Sequence, residues 1–198
     1  MAPAITSLPD GYRETQYLHL TSMENLTRLN LYSLFLVVPF LLLMVAWTAF
    51  AQASRGANPG ELNVPSLLLW AATLLVLPLH ELVHGLAIAW TGHRPRYGAK
   101  YLEGSIKLPY VLYATADGAL FRRYEFIVIA LAPAIVLTLV GMGLVWVTLD
   151  SLASYIAVAV VLNGAGAIGD FWMTAVVLRY PKDALVRDEE DGIRIFTR

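Results

Sequence analysis

The sequence predicts an all-α integral-membrane protein, a single domain over residues 1–198 with four transmembrane helices and room for a short β-hairpin in loop 92–123. Three observations lead there. Hydrophobic residues make up 58% of the chain and charged residues 15%, against about 25% charged in soluble proteins. Mean hydropathy is +0.60, more apolar surface than a domain of 198 residues hides from water. Four apolar runs each reach the ~20 residues that a helical crossing needs, and four spans suit helices because a barrel needs more strands to close.

The polar N-terminus, Met1 to Arg28, lacks the apolar core and cleavage site of a signal peptide. The first span is therefore expected to act as an uncleaved anchor. The spans fall at about 31–53, 65–91, 126–149 and 152–178. Pro39, Pro78 and Pro133 lie inside them, as kinks that a membrane helix tolerates. A charged tail, 179–198, follows the last span and reads as solvated, with a short strand at "GIRIF".

Basic residues set the expected orientation. Thirteen of the 14 Lys and Arg residues fall before span one, between spans two and three, or after span four. Only Arg55 falls on the other side. The positive-inside rule then places both termini and loop 92–123 in the cytoplasm of a multi-pass cell-membrane protein. A net charge of -1 gives no support to a nucleic-acid partner. With no cysteine, disulfides and thiolate metal sites are excluded.

Span two carries "HELVHG" from His80. Residues four apart on a helix lie one turn apart on one face, so His80 and His84 can ligate one zinc ion. Zinc lowers the pKa of a bound water to about 7, and Glu81 stands where it can take the proton. His-Glu-x-x-His is the zinc metallopeptidase arrangement. The membrane setting sharpens it, because each charged group at the bilayer centre costs at least ~2.5 kcal/mol.

Catalytic zinc normally has three protein ligands and an open position. His93 lies beyond the end of the span and on the far side of the helix, and His19 lies in the polar N-terminus. Glu103, Asp117 and Glu125 are loop or span-edge alternatives. Asp170 is favoured. It is the one acid deep in span four, and counting residues from the outer ends puts it within about one helical turn of His80 in depth. The competing reading of Asp170 is a salt bridge to Arg122, Arg123 or Arg179. Asn163, seven residues before Asp170, shares its face and could orient a ligand or bind a substrate carbonyl. Gly164, Gly166 and Gly169 permit close helix approach or local unwinding near the metal.

"GAGAIG" also fits Gly-x-Gly-x-x-Gly, but only 29 residues follow Gly169, too few to complete a dinucleotide-binding domain.

"HELVHG", "ALFRRYEFIVIALAP" and "NGAGAIGDFWM" together resemble the DUF3267 zincin peptidase family over about residues 78–198. The chain also resembles the broader class of site-2 membrane metalloproteases. The resemblance implies that His80, His84 and Asp170 hold zinc and that Glu81 is the catalytic base. Asp170 departs from the site-2 pattern, being followed by Phe171 with no proline nearby. In site-2 proteases a hairpin near the site presents substrate as an added strand, and loop 92–123 has short-strand composition. The expected activity is zinc-dependent hydrolysis of membrane or membrane-proximal proteins near the cytoplasmic face. The alternative is a metal-binding or metal-transporting membrane protein without catalysis. Transport needs polar groups across the whole membrane, and the outer halves of spans two to four show almost none.

Overall fold

A computed structural model describes residues 4–20, 23–57, 65–101, 109–116, 118–189 and 192–198. The elements in chain order are β1 (Arg13–His19), α1 (Met23–Arg55), α2 (Ser66–Leu74), α3 (Val76–Trp90), β2 (Arg96–Tyr101) and β3 (Pro109–Thr115). They continue as β4 (Leu120–Arg122), α4 (Arg123–Val147), α5 (Asp150–Gly166), α6 (Ile168–Val177), β5 (Leu185–Glu189) and β6 (Gly192–Thr197).

Among the described residues, three helical stretches are long and apolar enough to cross a membrane: Thr27–Arg55, Ser66–Trp90 and Arg123–Val147. Only 11% of the most apolar window of the first is buried. Leu34, Phe35 and Leu42 on it are each more than 60% exposed, a surface that suits lipid rather than water. The expected fourth span is a bent pair, α5 and α6, meeting at 40°. The second stretch breaks at Leu75, between α2 and α3. Pro78 then lies in the first turn of α3, where its missing N–H costs no helical bond.

The all-α expectation is corrected by two antiparallel sheets. The hairpin within loop 92–123 is present as β2 and β3, with Arg96 opposite Thr115 and Ala99 opposite Leu112. A four-stranded sheet of order β1-β6-β5-β4 was not expected. It joins the polar N-terminus to the charged tail, with Arg13 opposite Thr197 and His19 opposite Gly192. The tail is therefore not simply solvated. Strand β6 includes "GIRIF", and its Ile193 and Ile195 are fully buried. Arg194, between them, pairs with Glu189 of β5 at 2.6 Å and Glu14 of β1 at 3.2 Å.

The chain forms two compact units. One comprises 1–28, 81–132 and 169–198. Its core is Ile88, Phe121, Phe126, Val177, Val186, Ile193 and Ile195. The other comprises 29–80 and 133–168, with a core of Met44, Ala51, Val145, Ala153 and Val160. Within this second unit Trp47 Nε1 donates to Met142 O at 2.8 Å. Arg55 pairs with Asp150 at 2.7 Å, tying the end of α1 to the start of α5. Gly164 lies against the Phe40 ring, where any side chain would overlap it. The close approach expected of these glycines occurs there. The expected unwinding occurs between Gly166 and Ile168, where the helix is interrupted at Ala167.

Candidate metal centre

His80, Glu81 and His84 project from α3 as a group whose candidate ligand atoms all lie within 4.8 Å of one another. Both histidines are buried. Gly85 follows, one turn after Glu81. The Tyr97 hydroxyl from β2 seats against it, so that a side chain at 85 would overlap the ring.

Each imidazole is held through Nδ1. His84 Nδ1 lies 2.9 Å from Ile129 O. A carbonyl only accepts, so Nδ1 carries the proton of that bond. His80 Nδ1 lies 2.9 Å from Asn163 Oδ1. The Asn163 amide has a fixed sense, because its Nδ2 donates to Pro133 O at 3.2 Å. Its Oδ1 therefore accepts from His80. In the neutral tautomers that these bonds select, each lone pair falls on Nε2. This is how a protein prepares histidines for a metal: the second nitrogen is bonded to an oxygen, which fixes ring and tautomer.

Asp170 is buried in the first turn of α6, where a carboxylate complements the positive end of the helix dipole. Its Oδ1 lies 3.4 Å from His84 Nε2. A charge-assisted hydrogen bond would draw the atoms to about 2.7–2.9 Å. Two donors each ~2.1 Å from one tetrahedral zinc stand about 3.4 Å apart. The separation and the donor chemistry both fit zinc.

The alternatives are placed differently. Glu125 accepts from Arg122 N and from Arg122 Nη1, each at 2.8 Å, and so caps the start of α4. That bond also occupies Arg122, while Arg123 Nη2 donates to Leu178 O. His93 bonds Thr91 at 2.9 Å and meets the Phe121 ring edge-on. His19 belongs to β1. Glu103 and Asp117 lie outside the described residues.

Residues 73–185 match the model of the DUF3267 family, described as "Putative zincin peptidase". The chain belongs to this family. It is also 31% identical, over 147 residues, to an "Uncharacterized 24.7 kDa protein in gap 5'region" of Pyrococcus woesei. That alignment covers 74% of this chain and 60% of the relative, so the chain spans less than two thirds of that protein's length. No solved structure matches.

One acid near the centre of this DUF3267 chain escaped the sequence reading. Asp188, half-buried in β5, is pushed up to about 7 from the ordinary aspartate value. Burial is the main cause, the Thr115 hydroxyl and His84 oppose it, and Asp170 and Glu81 add to it. Its signal in sequence was one letter of "RDEED", indistinguishable from a surface charge. Because the folded-state value lies above the unfolded one, Asp188 supports the fold fully below about pH 4 and loses that contribution as pH rises through about 7. In metal-free protein, Asp188→Asn is expected to flatten this decline. Thermal unfolding of both proteins between pH 4 and 8 measures it, and parallel curves would contradict the assignment.

Proposed function

We propose that the chain is a zinc-dependent membrane peptidase, hydrolysing peptide bonds of membrane or membrane-proximal proteins near the cytoplasmic face. The observation that carries this reading is the pairing of a His-Glu-x-x-His helix, each imidazole anchored through Nδ1, with a buried aspartate 3.4 Å from His84 Nε2. His80, His84 and Asp170 would hold the metal. Zinc, when bound, supplies Lewis-acid polarisation of the substrate carbonyl and makes water a competent nucleophile near neutral pH.

The chain's own residues do the rest. Glu81, half-buried beside the histidines, takes a proton from the attacking water and returns it to the leaving nitrogen. Asn163 and Ile129 O hold the imidazoles in one tautomer. The β2–β3 hairpin offers strand edges along which a substrate chain can lie extended, its backbone bonded as an added strand. The clustering of basic residues supports a cytoplasmic setting for that hairpin and both termini.

Detergent-solubilised protein loaded with zinc is expected to cleave fluorescein-labelled casein, to stop on chelation, and to recover when zinc is returned. Cleavage indifferent to chelation would refute the reading. In the same assay a proline at Leu112 of β3 should slow cleavage. Unchanged cleavage would remove the hairpin from substrate binding.

A further inference from the structure

The Ile129 carbonyl that holds His84 sits inside α4, where a carbonyl is ordinarily taken by the N–H four residues on. The residue four on is Pro133, which has no N–H. Proline thus leaves the Ile129 carbonyl without its helical donor, in a segment where an unsatisfied carbonyl is costly. His84 Nδ1 meets it at 2.9 Å. One turn further along the same helix, the carbonyl of Pro133 itself accepts from Asn163 Nδ2 at 3.2 Å, and Asn163 in turn accepts from His80 Nδ1. Pro133 is fully buried. Neither anchor uses a charged side chain.

We propose that Pro133 is a positioning residue of the metal centre: by lacking an N–H it releases the Ile129 carbonyl to orient His84, and its own carbonyl orients His80 through Asn163. The first link is the specific one. An alanine at 133 would supply the missing N–H, which would compete with His84 for the same carbonyl. The imidazole would then lose its fixed tautomer and ring angle. This inference rests on the zinc reading above, but its test reads metal binding rather than hydrolysis.

The experiment is a zinc titration of the full chain in detergent against a competing chelator. Pro133→Ala is expected to bind zinc ~10–100-fold more weakly than the native protein, the usual cost of losing a ligand's hydrogen-bond partner. Replacing residue 133 with lactic acid, the α-hydroxy analogue of alanine, removes the ring but again presents no N–H. That ester variant is expected to recover tight binding. A role limited to bending the helix predicts instead that the ester binds as weakly as alanine. Pro39→Ala removes the exposed proline inside α1 and should leave zinc affinity unchanged.

Native-like affinity in Pro133→Ala, weak binding in the ester variant, or an equal loss in Pro39→Ala would each overturn the proposal. If Pro133→Ala does not fold, the ester variant decides alone: native affinity supports the proposal and weak binding overturns it. A native protein that binds no zinc would instead overturn the function proposed above, so the two failures are distinguishable.

Discussion

Glu81→Gln is expected to keep its zinc and lose ~10²–10⁴-fold in casein cleavage, the range for removing a general base. Glutamine has nearly the shape of glutamate and preserves the packing of α3. It cannot take a proton from water. Both histidines keep their Nδ1 bonds, since neither Asn163 nor Ile129 touches residue 81 in making them. The discriminating result is a variant with native zinc content and almost no turnover. A variant that cleaves normally would mean that Glu81 is not the base. A variant that loses zinc would mean that its carboxylate, whose ligand atom lies within 4.8 Å of those of both histidines, is a ligand rather than the base.

Asp170→Asn should act on the opposite step. An amide is a poor zinc ligand, so affinity is expected to fall by more than the ~10–100-fold that losing a ligand's hydrogen-bond partner costs. Cleavage should disappear with the metal. Zinc titration and the casein assay check the two halves. Unchanged zinc affinity would leave Asp170 as a salt-bridge partner of His84 and require a different third ligand.

Much of the centre was legible because its signals are local or follow from residue counting. His80, Glu81 and His84 lie within five residues, and helical spacing alone brings them together. The depth of Asp170 in its apolar run singled it out before any contact was known. Glu125 was less legible: its carboxylate reaches back to the Arg122 N–H as the glutamate of a capping box does, but with arginine in place of the usual Ser or Thr the sequence does not show the pattern. The link from Pro133 to Ile129 could also have been found by counting back four residues. As a proline inside an apolar run Pro133 reads as a tolerated kink, and nothing local to it names the donor that takes the released carbonyl.

The four-stranded sheet was hidden for a different reason. Strand β1, "RETQYLH", has little apolar alternation, and its pairing with β6 joins residues nearly the whole chain apart. Local pattern does not encode such a pairing. Part of what holds β1, β5 and β6 together is the Arg194 pairs with Glu14 and Glu189, which in sequence look like solvated charges. Asp188 was hidden with them, since its burial follows from the sheet. The glycines of this run permit either close approach or unwinding, so they do not by themselves fix a break between α5 and α6. Its position, just before Asp170, follows from where the helical bonding stops, at Ala167.

The X-ray absorption spectrum at the zinc edge, recorded on the zinc-loaded native protein, tests the central claim most directly. Two imidazoles bound to each zinc at ~2.0–2.1 Å, with only oxygen completing a four-coordinate shell, is the expected result. A zinc with no imidazole scattering, or with one imidazole only, would contradict the assignment of His80 and His84 as a shared pair of ligands.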